Sequence, residues 1–327
     1  MHCKKILCVN MGKRLLYPDI CKFIAIFLVT WSHCAQRVSG EVWNNFLGGM
    51  QLDIAFNMPM FMLISGWFLN LDKIRESSIS QYVVSKFKRL IIPSVAWFLV
   101  HFIFALSKPG LSFFDYYWYL NALFICLCVI LIFAKIFRNN ILCCLFSIFF
   151  ILALPYSYFS HVNFMFPFLW AGYGLHQIYN SNNATFFALL CSIIGIALCF
   201  VWNYTYTVYM SPLEPLHVDF PMVFAYLYRF AIGFTLSSAI IFLIMKFENK
   251  LCVLAHLGSK SLVIYTASSV LNEGVTKVLD HLQIHTNDYI IIDIVSLCIC
   301  SLIVYVSILF YNYCKQYKTL SMLFLGE

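Results

Sequence analysis

The chain has 327 residues, 62% of them hydrophobic and 11% charged, with a mean hydropathy of +0.84. A soluble domain carries roughly 25% charged residues, so this composition excludes an ordinary water-soluble fold. The net charge of +7 does not point to nucleic acid, because Lys and Arg alternate between loops as the positive-inside rule requires.

In chain order, the basic N-terminal segment 1–17 carries Lys4, Lys5, Lys13 and Arg14 with no small-residue cleavage pattern behind it, so a retained first span is expected. Apolar runs follow at 20–36, 52–70, 90–107, 117–137, 141–158, 162–179, 185–202, 222–245, 251–272 and 289–313. Each is near the ~20 residues that a helix needs to cross a bilayer. A hairpin around Pro155 to His161 separates the fifth run from the sixth.

Lys73, Arg75, Lys86, Lys88 and Arg89 fill the 71–89 loop; Lys135 and Arg138, then Lys246, Lys250 and Lys260, then Lys315 and Lys318 follow later spans. The intervening loops hold Glu41, Asp115, Glu214, Asp219, Glu273 and Asp280 instead. Ten spans with both termini cytoplasmic satisfy this alternation, the tail being 315–327. The expected fold is an all-α polytopic membrane helix bundle of about ten transmembrane helices, one domain over 1–327.

The 14 cysteines lie mostly in apolar runs without CxxC pairs, and read as packing residues rather than zinc ligands or a disulfide framework. The outer loop Asn203 to Pro221, with Glu214, His217 and Asp219, is either a rim for an outside substrate or an ordinary aromatic belt. His101, His176 and His256 fall near span ends and read as interface residues. Arg229 and Asp293, inside spans, are each expected to meet a partner across the bundle.

Span one carries the sharpest signal. Lys22 and His33 are eleven residues apart, or three turns plus ~20° with ~16 Å of rise, so they share one helix face. Ionisable groups at membrane depth are expensive and usually face a cavity, a partner or a pathway. Alone, Lys22 reads equally well as a snorkelling lysine paired with Asp19, and His33 as a buried histidine bonding a neighbouring helix. On one face, the pair looks like the lining of a channel.

These residues, with five further segments in order, resemble the acyltransferase-3 family of integral membrane O-acyltransferases, in its smaller members without a fused soluble domain. Lys22 and His33 match its basic residue, ten residues, then histidine. Phe56-Asn57-Met58-Pro59 through Ser65-Gly66 is similar to its second-helix motif, and Lys86-Phe-Lys88-Arg89 to the basic stretch before its third. Trp118-Tyr-Leu, Phe166-Pro167-Phe168 with Gly172-Tyr173-Gly174, and Leu257-Gly258 through Tyr265 resemble later motifs. Asn57 and Ser268 stand where many relatives carry histidine.

The resemblance implies an O-acetyltransferase in a bacterial inner membrane that uses cytoplasmic acetyl-CoA and reaches an acceptor hydroxyl from the opposite side. The acceptor class it implies is a cell-surface or lipid-linked glycan, with a separate glycan-assembly protein as a further partner. His33, Lys22 and Ser65 are the catalytic candidates. Lys86, Lys88, Arg89, Trp118 and Tyr265 are the candidates for holding CoA, whose phosphates suit a cationic cluster. Topology alone also accounts for the cluster, a small-residue helix contact for Ser65, and interfacial placement for Trp118. Neutral imidazole near pH 7 suits a base that takes a hydroxyl proton. No metal is expected. The rival class is a transporter or flippase whose Lys22 and His33 line a permeation path.

Overall fold

The computed structural model describes residues 15–40, 52–104, 113–154, 156–179, 181–202, 220–283, 285–286 and 288–327. Lys4, Lys5, Lys13, Arg14, Glu41 and the loop residues Glu214, His217 and Asp219 lie outside them. Among the described residues the regular structure is helical, without strands. In chain order the helices are α1 (Tyr17–Ser39), α2 (Asp53–Trp67), α3 (Leu71–Glu76), α4 (Ile79–Lys86), α5 (Ile92–Ile103), α6 (Phe113–Tyr116) and α7 (Trp118–Ile136). They continue as α8 (Asn140–Leu152), α9 (Tyr156–Tyr179), α10 (Ala184–Cys199), α11 (Phe220–Phe247), α12 (Cys252–Gly258), α13 (Ser261–Leu282) and α14 (Tyr289–Cys314).

Over their described residues, the ten apolar runs fall mainly on helix. Three stretches, Trp118–Ile136, Phe220–Gly258 and Ile290–Cys314, are long and apolar enough to cross a bilayer by length and composition. Several helices turn large apolar side chains outward, among them Phe149 (65% exposed), Phe186 (69%) and Leu302 (61%). Such surfaces are an aggregation liability in water and ordinary against lipid.

The structure corrects the reading in several places. The 71–89 segment is not a loop but α3 and α4 with a π-turn over Phe87–Ile91. The Asn70 side chain accepts from the Lys73 N–H at 2.9 Å and Ser78 from the Gln81 N–H at 3.2 Å, so each short helix has an N-cap. The turn between α8 and α9 ends before Tyr156, not at His161. Helix α13 runs on to Leu282, which places Glu273 and Asp280 on helix rather than in a loop. Cys252 is disulfide-bonded, which a sequence without CxxC pairs gave no means to foresee, whereas the other described cysteines are free thiols.

The chain divides into two compact units, one of Met1–Asn57, Lys88–Tyr117 and Ile244–Glu327, the other of Met58–Phe87 and Trp118–Leu243. The first unit is organised around α1. Pro18 sits in its first turn, and the Glu248 carboxylate accepts from the Leu16 and Tyr17 N–H groups at 3.1 and 3.0 Å, where the helix dipole favours negative charge. Gly40, at φ +66°, closes the other end in a conformation that favours glycine. Helix α12 crosses α1 at Gly258, where a Cβ would lie 1.7 Å from the Asp19 carbonyl oxygen. Helix α14 holds the middle of α1 through Trp31 Nε1–H to Ser296 Oγ at 2.9 Å. A core of Trp97, Tyr117, Val263, Ala267 and Val270 joins α5 to α13.

In the second unit α2 and α9 cross at backbone distance. A Cβ on Gly66 would fall 1.8 Å from the Leu169 carbonyl oxygen, and one on Gly172 2.1 Å from that of Leu63. Arg75 of α3 caps the end of α7, donating to the carbonyls of Ala134 and Phe137 and to Asn140 Oδ1 at 2.6 Å. Arg229 is buried with its guanidinium 4.6 Å above the Trp202 ring. In the first unit, by contrast, Asp293 lies on the exposed face of α14 rather than against a partner across the bundle, because the inward positions of that turn are Ile292 and Ser296.

Candidate active site

Helix α1 is uninterrupted from Tyr17 to Ser39, so Lys22 and His33 do share a face, separated by ~16 Å along the axis. Lys22 Nζ lies 3.3 Å from Asp19 Oδ1, and its side chain is about one-third exposed. The stripe between the two is apolar: Ile26 and Val29, at the intervening turns, are both buried. The face is therefore a greasy strip with a polar group at each end, not a continuous polar lining.

The histidine end is the more elaborate. His33 Nδ1 sits 3.2 Å from Gln36 Oε1. An amide oxygen only accepts, so with the Gln36 amide oriented this way and the ring neutral, Nδ1 carries the proton and Nε2 the lone pair. One turn beyond His33, Arg37 donates to Glu273 Oε1 of α13 at 2.8 Å, an ion pair that is mostly shielded from the surroundings. Cys34 Sγ donates to Asn272 Oδ1 at 3.2 Å, so two consecutive residues of α13 tie down this half of α1.

Along α13 the same face continues to Ser269. Taking Ser269 as origin, Asn272 and Glu273 lie at about −60° and +40°, with Glu273 ~6 Å further along the axis. Ser269 Oγ is 3.2 Å from His101 Nε2 of α5. His101, expected at an interface, is wholly buried because α5 packs its last turn against α13, and its ring lies tilted against that of Tyr116, with centres 4.5 Å apart. Tyr117 is also wholly buried, with Tyr265 6.4 Å away in an edge-on arrangement. His33, Gln36, Arg37, Glu273, Ser269, His101, Tyr117 and Tyr265 thus belong to one connected neighbourhood of the first unit.

The remaining sequence candidates are placed elsewhere. Lys88 and Arg89 are exposed on the π-turn leading into α5 of the first unit. Lys86, at the end of α4 in the second unit, lies over the Tyr82 ring at 5.3 Å. Burial beside α7 raises the Tyr82 phenol to about 12, so it stays neutral beneath that lysine. Trp118, also in the second unit, stacks on His161 with ring centres 4.4 Å apart. Ser65 Oγ donates to the Phe61 carbonyl of its own helix at 2.9 Å, next to the glycine that makes the α2–α9 crossing.

Sequence reasoning missed Gln36, Arg37, Glu273, Ser269, His101 and Tyr117. Arg37 carried a usable signal, lying four residues after His33 on the same stripe. Residues 15–311 match a family model described as an acyltransferase domain. No curated protein and no solved structure matches the chain significantly.

Proposed function

We propose that this chain, which belongs to the acyltransferase-3 family, is a membrane O-acetyltransferase that carries an acetyl group from cytoplasmic acetyl-CoA to a hydroxyl of a cell-surface or lipid-linked glycan. The observation that carries the reading is the α1 strip, with Lys22 at one end, His33 at the other, and Ile26 and Val29 between. The pantetheine arm of CoA is an extended chain about as long as four or five residues, each ~3.5 Å, which matches the ~16 Å between the two polar groups. Lys22, beside Asp19, would meet the phosphate end and His33 the thioester; Ile26 and Val29, both buried in the fold, fix the spacing between the two rather than contact the arm.

At the thioester, His33 Nε2 takes the acceptor's hydroxyl proton as the oxygen attacks the carbonyl carbon. The C–S bond breaks, CoA departs as thiolate, and the imidazolium returns the proton to sulfur, giving an acetyl ester and free CoA. Gln36 positions the ring by holding Nδ1–H. Lys88 and Arg89, exposed ahead of α5, supply charge for CoA's phosphates. Tyr265, in the same unit as Lys22 and His33, remains a candidate for a further contact to CoA. Ser65 has no step in this scheme, since its hydroxyl is engaged by Phe61.

Inverted membrane vesicles given acetyl-labelled CoA provide the test. Label should move into the glycan fraction, and Lys22→Ala should raise the acetyl-CoA concentration needed for half-maximal transfer, roughly three- to tenfold for one lost charge-assisted contact. Accumulation of an unmodified solute with no transfer of label would point to the transporter class. An unchanged half-saturation in Lys22→Ala would remove Lys22 from the donor site.

A further inference from the structure

The buried polar groups at the junction of α5, α6 and α13 are incompletely satisfied by the fold. His101 is wholly buried, and while its Nε2 meets Ser269 Oγ, its Nδ1 makes no hydrogen bond. Tyr117 is equally buried, and its phenol oxygen lies beside Ser269 without meeting any partner among the described residues at full hydrogen-bond geometry. A buried donor or acceptor without a partner forfeits its bond to water with nothing in return, and most folded chains avoid it. Two such atoms, one on each side of the His101–Ser269 contact, mark a place where a ligand supplies the missing bonds.

The chemistry of the cluster restricts that ligand. Imidazole, phenol and hydroxyl each donate or accept, which suits a group that does both. A phosphate or carboxylate would call for an available cation, and Arg37, the cation that reaches α13 one turn further along, is already engaged by Glu273. Phenol and imidazole combine flat apolar faces with polar edge atoms, the combination that suits a sugar ring.

We propose that His101, Tyr117 and Ser269 bind the hydroxyl-bearing acceptor, a neutral sugar or polyol unit, alongside the Arg37–Glu273 pair and the turn of α1 that bears His33. The inference rests on the acetyltransferase reading and adds to it the part of the chain that recognises the acceptor.

Tyr117→Phe separates this role from a structural one. Its hydroxyl has no well-formed bond within the protein, so removing it should leave the Tm of the purified full-length chain unchanged or raise it. With acetyl-CoA and a glycan extract from the source cell envelope as acceptor, the variant should need about three- to tenfold more extract for half-maximal transfer. Half-saturation by acetyl-CoA should not move. His101→Gln should shift the acceptor requirement in the same direction. A lowered Tm for Tyr117→Phe assigns its hydroxyl to the fold and overturns the proposal, as does an unchanged acceptor requirement in both variants. A parent protein that transfers no acetyl to the extract overturns the acetyltransferase reading itself, an outcome distinct from failure of the pocket alone.

Discussion

At the scale of single residues, the tautomer of His33 is the most consequential detail. Gln36 Oε1 accepts from Nδ1, so the lone pair faces away from it. Replacing Gln36 with Leu should lower the rate of acetyl transfer about tenfold while leaving the protein inserted, because the ring loses its orientation but not its chemistry. Gln36→Glu keeps an acceptor at that position and should restore most of the rate. A steady-state kcat for Gln36→Leu equal to the parent's would show that the ring needs no such positioning. The spacing of Lys22 and His33 made their shared face legible in the sequence, since eleven residues fix an angle on a helix. His101, Ser269 and Tyr117 were not legible, because three residues from distant parts of the chain meet only through tertiary packing. A histidine near the end of an apolar run reads the same in sequence whether it faces headgroups or, as here, a half-buried serine of another helix.

At the scale of elements, glycines rather than polar side chains decide which helices meet closely. Gly66 and Gly172 bring α2 and α9 within backbone distance, and Gly258 does the same for α12 against the Asp19 turn of α1. A methyl group at Gly66 would collide with a carbonyl that has no room to swing aside, so Gly66→Ala should cost at least the ~1–3 kcal/mol of an overpacked core. At roughly 2–4 °C per kcal/mol for a chain of 150–250 residues, a Tm loss of several degrees in detergent should follow. Ser65→Ala, one residue away, should keep both Tm and activity close to the parent's. If Ser65→Ala loses activity at unchanged Tm, the serine has a chemical part that its bond to Phe61 conceals. Apolar runs revealed where helices form, but not the short ones: α3 and α4 are too charged for a hydropathy signal. Their N-caps, Asn70 and Ser78, were the available clue.

At the scale of the whole molecule, composition was a reliable guide to class, and the helices with outward-facing Phe, Leu and Ile are those of an integral membrane protein. The count of ten crossings and the cytoplasmic placement of both termini rest on the charge alternation. They predict that a cysteine added after Glu327 is shielded from a membrane-impermeant thiol reagent in intact cells and labelled in inverted vesicles. Labelling in intact cells would reverse the orientation, and with it the side from which Lys22 draws its donor. The division into two units was not legible, since it depends on which helices pack together and not on any linker that the sequence announces. The central claim, that His33 supports acetyl transfer to a glycan, is tested most directly by mass spectrometry of surface glycans from cells lacking the gene and complemented with either the parent or His33→Ala. Acetyl esters should return with the parent and stay absent with the variant at equal membrane abundance. Their return with His33→Ala, or their presence without the gene, would contradict the account.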